Sequence, residues 1–189
     1  MGIEDFADYL KKGIDGRSYK QLMRSMLVNS EEAATDSLEK AILNNHLDEQ
    51  KILQKWGASH TYINVRQSTA FEMASLFEGL YVGRCVSVTP RQIILDYMQA
   101  YTPGDDLRLG EIRQYLPPSY PFFNKRGTIT DGFLVVADTA IVQIPTRLGD
   151  KEYVVAAFAY QGDNKTTYSR LEYALGRIAV LLWQYSQAL

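Results

Sequence analysis

The sequence predicts an α+β fold in which a helical block is followed by a three-stranded antiparallel meander and a long C-terminal helix. Three observations carry that expectation. Apolar residues recur at three- and four-residue spacing through most of the first 118 positions. After Pro117-Pro118 the pattern changes to three short runs rich in β-branched and aromatic residues. Helical spacing then returns near Thr166 or Thr167. A chain of 189 residues with 46% apolar content can bury one core. Residues 1–189 are therefore read as a single domain, helical over about 1–118, with the sheet and closing helix over about 119–189.

The elements follow in order. Ile3, Phe6, Ala7 and Leu10 mark a first helix, punctuated by Gly13 and Gly16. A second runs from about Ser18 to Asn29, with Tyr19, Leu22, Met23, Met26 and Leu27 on one face. Ser30 reads as the N-cap of a third, where Glu31 and Glu32 would favour the positive end of the helix dipole and Ala34, Leu38, Ala41 and Ile42 form the buried stripe. A short helix from about Leu47 to Trp56 is closed by Gly57. Thr69-Ala70-Phe71-Glu72 is a capping-box pattern, followed by Met73, Ala74, Phe77, Leu80 and Tyr81 on one face. Thr89-Pro90-Arg91-Gln92 opens another helix with Thr as cap and Pro at its first position, and Pro103-Gly104 ends it.

The strands are expected at about Arg126 to Val136, Thr139 to Ile144 and Glu152 to Tyr160. Ala137-Asp138 and Thr146 to Lys151 are the hairpin connections, with Asp131 and Asp138 as turn residues. The last strand is apolar at both parities, so helices must cover both faces. The closing helix offers Leu171, Ala174, Leu175, Ile178, Leu182 and Tyr185 as one cover.

Composition narrows function. Basic and acidic residues nearly balance, at 20 against 22, and are scattered, which does not suggest nucleic acid as a partner. No apolar run approaches the ~20 residues that span a bilayer, and the acidic start MGIEDFADYL lacks the pattern of a secretory signal. Cys85, the single cysteine, reads as a small apolar residue. His46 and His60 have no ligand-spaced companions, so neither a metal nor another cofactor is expected.

Three blocks resemble the penicillin-recognising serine hydrolases, most closely the class A β-lactamase-like and DD-peptidase-like branch. Met26 to Leu38 is similar to the family's helix end, Ser-Asp-Asn box and following helix. Ser68 to Gly83 is similar to the helix behind its active site. Lys125-Arg126-Gly127-Thr128 stands in the place of Lys-Thr-Gly-Thr, followed by Ala137 to Val142 and Glu152 to Ala156. The resemblance covers about Ser18 to Leu189 and implies a β-lactamase/transpeptidase-like fold, in a family that is usually extracytoplasmic.

It also implies roles. Ser30 would relay a proton and Lys125 would supply the cation facing a substrate carboxylate. Gly127 would permit close approach, and the Thr128 N–H would form half of an oxyanion hole. Glu32 and Arg126 would border the substrate, the first in place of an amide and the second in place of a small hydroxyl. No Ser-x-x-Lys, the family's nucleophile motif, precedes Ser30. Ser37-Leu38-Glu39-Lys40 spells it out of order, and the stretch between Ser30 and Ser68 shows neither the family's Ω-loop length nor its Glu-x-x-Leu-Asn.

Two functional expectations follow: a binding or interaction module lacking its nucleophile, or a serine hydrolase acting on β-lactam or D-alanyl peptide bonds once another segment supplies one. The chain is expected to be either part of a longer protein or a reduced homologue. The family sets two further strands beside the last strand, so the edge near Tyr153 is expected to pair with another chain, as in a homo-oligomer. The ligand expected is a β-lactam or a peptidoglycan-like peptide.

Overall fold

The computed structural model describes residues 8–100, 107–130, 132–162 and 165–189. A helical turn at 8–11 leads into a two-stranded ribbon, β1 (Gly13–Ile14) and β2 (Arg17–Ser18). The helical block follows as α1 (Tyr19–Asn29), α2 (Glu32–Asn44), α3 (Glu49–Lys55), α4 (Ala70–Tyr81) and α5 (Val88–Gln99). A 3-10 helix, η1 (Arg108–Gln114), precedes the strands β3 (Phe122–Ile129), β4 (Val135–Ile144) and β5 (Lys151–Tyr160), and α6 (Tyr168–Ala188) closes the chain. The three strands form an antiparallel sheet in the order β3-β4-β5, the expected meander.

Side-chain caps explain several helix starts. Ser18 and Gln21 form a reciprocal capping box at α1, Asp48 accepts from the Lys51 N–H at α3, and Thr167 accepts from the Arg170 N–H at α6. At α4 only half of the expected box forms: Thr69 accepts from the Glu72 N–H, while the Glu72 carboxylate turns elsewhere.

Other starts differ from expectation. Ser30 is not an N-cap: it is the C-cap of α1, with φ 53° and ψ 39°, and Glu31 precedes α2 without a side-chain cap. Its amide donates to the Ser25 carbonyl, which closes α1 and turns the chain before α2 begins. Likewise α5 starts at Val88 after Ser87, so Thr89 and Pro90 lie inside its first turn, where a missing N–H leaves no intrahelical bond unmade. Ile3, Phe6, Ala7, Tyr101, Pro103, Gly104 and Asp131 lie outside the described residues.

The strand boundaries also shift. β3 starts at Phe122 and ends at Ile129, and Ala137-Asp138 is the middle of β4, not a hairpin. Asp138 is fully buried there because two donors meet it: the Leu109 amide at 3.1 Å and the Asn124 side chain at 3.2 Å. The expected turn at Thr146 to Lys151 does form, with Gly149 at φ 95°.

Three apolar clusters hold these layers. Leu22, Ala34 and Ala41 join α1 to α2. Leu95, Met98, Phe123 and Ile141 join the helical block to one sheet face. Phe122, Val136, Val142, Ile144, Leu171 and Leu175 join the other face to η1 and α6. The buried stripe of α6 is rotated from expectation, to Leu171, Leu175, Gly176, Ala179 and Val180, because the helix packs on both η1 and the sheet. Ile178 and Tyr185, expected inside, are exposed. A Cβ at Gly176 would collide with the Glu111 carboxylate, which explains the glycine on the η1 flank. Tyr115 stacks on Trp183 along the same seam. Phe123 packs against the helical block, whereas Phe122 belongs to the sheet–α6 core.

Candidate functional site

A cleft of about 1130 Å³ opens between the end of α1, the inner side of α2, the loop 61–68 and strand β3. Strand parity decides what β3 shows it. Phe123 packs into the helical block, so Lys125 and Gly127 share that face, while Phe122 and its even-numbered successors turn toward η1 and α6.

Two acceptors among the described residues hold Lys125. Its Nζ donates to Ser30 Oγ, 95 positions away in sequence, and to the Arg126 carbonyl oxygen at 3.1 Å. Ser30 reaches it because the left-handed backbone that ends α1 turns its side chain toward the sheet. That conformation costs a non-glycine residue about 1–2 kcal/mol. Five described non-glycine residues have positive φ, and three of them, Ser30, Arg66 and Arg108, line this one cleft. Strain gathered in this way is characteristic of functional sites.

Arg108 is the largest feature that sequence reading missed. Its side chain is 3% exposed. All five of its N–H donors are taken: Nε by Glu172 at 3.1 Å, Nη1 by the Gly127 and Ala137 carbonyls at 2.8 and 2.9 Å, and Nη2 by Thr128 Oγ1 at 2.9 Å and the Tyr168 hydroxyl at 2.7 Å. It thus clamps β3 to β4 and α6 directly behind Gly127, and it fixes the Thr128 hydroxyl on the side away from Lys125. Nothing local in Leu107-Arg108-Leu109-Gly110 signals this role, which depends entirely on partners distant in sequence.

Asp138 sits beside this clamp. Burial pushes its carboxyl up to about 6, although Asn124, the Arg108 charge, the Leu109 amide and the Arg126 charge all pull the other way. Together Arg108 and Asp138 tie the first residues of η1 to the sheet beneath the candidate site.

The loop opposite β3 has its own anchor. The buried Glu72 carboxylate accepts from the His60 amide at 2.9 Å and from Thr61 Oγ1 at 2.7 Å, with His60 Nδ1 at 3.0 Å. Burial pushes this carboxyl up, but those hydrogen bonds outweigh it and hold it below the usual carboxylate range. Thr61 also meets Ser68 Oγ at 2.8 Å, and Tyr62 pairs with Gln67, so the neck of the loop is closed twice. A glutamate at the third position of a helix resembled a cap, which hid this function in the sequence.

The walls differ in charge. Lys125 and Arg126 line β3, whereas Glu32, Asp36 and Glu39 line α2. Burial, then Glu49 and Asp36, pushes the Glu39 carboxyl up. Glu32 faces Arg66 across the rim at 3.3 Å, with both side chains exposed.

All six residues expected at the site line this one cleft: Ser30, Glu32, Lys125, Arg126, Gly127 and Thr128. The out-of-order motif does not. Ser37 Oγ and Lys40 Nζ both bind Asp15, at 3.2 and 2.9 Å, and neither lines the cleft. The floor is a row of paired residues running across the sheet, Gly127 to Ala137 to Phe158. A Cβ at Gly127 would stand 3.8 Å from that of Ala137, an ordinary contact, so protein packing does not demand glycine there.

Comparison with known proteins points one way. The model of a family described as the β-lactamase enzyme family matches residues 5–186. No curated protein matches. Among solved structures, TLA-3 extended-spectrum β-lactamase gives a TM-score of 0.68 at 19% identity, covering 89% of this chain and 64% of its own. PBP-A gives 0.70 at 22%, covering 92% and 63%, and a mutant of it has been solved as an acyl-enzyme complex with penicillin G. An ancestral class A β-lactamase gives 0.69 at 20%, covering 98% and 74%. At these identities the likeness to the solved structures is one of fold. The chain spans less than two thirds of the length of TLA-3 and PBP-A.

Proposed function

Because this chain belongs to the β-lactamase enzyme family, we propose that it acts as a binding module whose cleft captures a carboxylate-bearing β-lactam or D-alanyl peptide without covalent chemistry. The observation that carries this reading is the meeting of the Ser30 hydroxyl with the Lys125 ammonium at the open face of β3. Lys125 supplies the charge that attracts the carboxylate. The Thr128 N–H, next to a side-chain-free floor at Gly127, offers a donor to a carbonyl oxygen. Ser30 orients the ammonium. Among the described residues, the serines lining the cleft are Ser30 and Ser68, and Ala33 and Phe71 stand where the family's nucleophile motif would place a lysine.

A second reading is favoured by the acyl-enzyme solved for the PBP-A mutant. In it the same cleft becomes a serine hydrolase site when a nucleophile is supplied by a segment with no counterpart in these 189 residues.

Equilibrium binding and intact-mass measurement with benzylpenicillin and a D-alanyl-D-alanine peptide separate the two. The binding module gives saturable binding with no added mass, weakened at least tenfold by Lys125→Ala and by Gly127→Ala. A covalent adduct, or turnover abolished by Lys125→Ala, would replace the first reading with the second. Absence of binding to either compound would remove both.

A further inference from the structure

We propose that Arg108 is the positioning residue for the Thr128 N–H, the donor that β3 turns toward a ligand carbonyl. The inference rests on the ligand-capture reading above and deepens it by naming the group that aims that donor.

The carbonyl contacts of Arg108 fix the direction of a peptide plane. In an antiparallel pair, two directly opposed residues turn their carbonyls either both into the gap between the strands or both away from it. Gly127 and Ala137 are such a pair. One nitrogen, Arg108 Nη1, donates to both of their oxygens, at 2.8 and 2.9 Å. Carbonyls turned away would stand on the outer sides of strands already about 4.8 Å apart, beyond the reach of a single nitrogen. Both therefore point into the gap between β3 and β4. The Gly127 carbonyl and the Thr128 N–H belong to one trans peptide unit, whose two polar groups point in opposite directions. The Thr128 N–H is thereby aimed away from β4, at the edge of β3 where Gly127 and Thr128 line the cleft.

Arg108 holds that plane at a second point. Its Nη2 takes Thr128 Oγ1 at 2.9 Å, so the donor residue's side chain and the carbonyl before it are bound to one rigid fork. The fork is itself tethered to the first turn of α6, through the Tyr168 hydroxyl at 2.7 Å and Glu172 at 3.1 Å. The donor cannot turn unless the fork follows it, and Ala137, Tyr168 and Glu172 keep the fork in place.

Charge adds to geometry. A hydrogen bond from a guanidinium to a carbonyl is charge-assisted, and it polarises the peptide unit so that the N–H at the other end becomes a stronger donor. Arg108 is 2% exposed, so salt and water screen this effect little. The backbone shows what the placement requires. Arg108 is the first residue of η1 and has φ 60°, a left-handed conformation that persists in a residue with a side chain only where its surroundings over-determine it. A donor held in this way needs no rearrangement when a ligand arrives.

Arg108→Lys keeps the charge and loses the fork. It tests the proposal through infrared difference spectra of bound benzylpenicillin and the NMR shift of the Gly127 carbonyl carbon in the unliganded chain. The substitution should weaken binding roughly tenfold, return the β-lactam carbonyl stretch of the bound ligand toward its value in solution, and displace the Gly127 shift. Lys125→Ala should weaken binding while the ligand that remains bound keeps the parent stretch. Loss of stability alone would move neither signal. Should Arg108→Lys not fold, Tyr168→Phe, at an exposed position, unties one arm of the fork and should move both signals less, in the same direction. An unchanged stretch or an unchanged Gly127 shift would overturn the proposal. If benzylpenicillin does not bind the parent chain, the capture reading falls, and the Gly127 shift decides the role of Arg108 without it.

Discussion

The two edges of one sheet have opposite characters. β3 carries Lys125 and Arg126 at its centre, Gly127 just after them, and is braced from behind by Arg108. β5 is apolar through its middle and packs beside α6. A charged, braced edge resists pairing with another strand and so keeps its backbone groups available for a small ligand. An apolar edge with a helix beside it invites a strand. The same meander therefore gives its two edges different chemistry.

Breaking the brace should have the largest effect. Arg108→Met would leave the Glu172 carboxylate and two carbonyls without their donor in a buried site, and should cost about 3–5 kcal/mol in chemical denaturation. Next is Asp138. Between 3.8 and about 6 the folded protein holds a proton that the unfolded chain has lost, so stability falls as pH rises through that window. The full change should be on the order of 2–3 kcal/mol, and Asp138→Asn should flatten the dependence of denaturation midpoint on pH.

A smaller effect, opposite in sign, is expected at Ser30. Ser30→Gly removes a side chain from a left-handed position and should raise stability by about 1 kcal/mol, while ligand affinity falls because Lys125 loses its hydroxyl partner. A gain in both would argue against the site. Finally, Lys125→Val would make the β3 edge resemble β5. Light scattering should rise at concentrations where the parent stays clear, and no change would show that charge is not what separates the two edges.

The order of helices and strands was legible because it rests on periodicity and local caps. Thr69 and the three- and four-residue spacing after it mark α4, and the change after Pro117-Pro118 marks the sheet. Errors arose where a local signal was overruled by distant partners. Asp138 reads as a turn residue until the Leu109 amide and Asn124 are placed beside it. Ser30 reads as an N-cap because the glutamates after it suit a helix start, yet the Ser25 carbonyl claims its amide. The convergence of Ser30 with Lys125 was reachable through family resemblance, since nothing in either segment alone indicates the other. Arg108, Tyr168 and Glu72 carried no such signal, their roles existing only when α6, β3 and the 61–68 loop have come together.

The floor row Gly127, Ala137, Phe158 has a further consequence. Side-chain volume grows stepwise from the ligand-facing strand to the far side of the sheet, from a hydrogen to a methyl to a phenyl ring, so the floor is a ramp that is deepest beside β3. A molecule seated against Lys125 has depth for a compact ring there and meets rising ground across the sheet. Along the strand the cleft continues toward Ile129 and Phe133. If the cleft captures a ligand as proposed, this gradient makes shape, as well as charge, part of its selection.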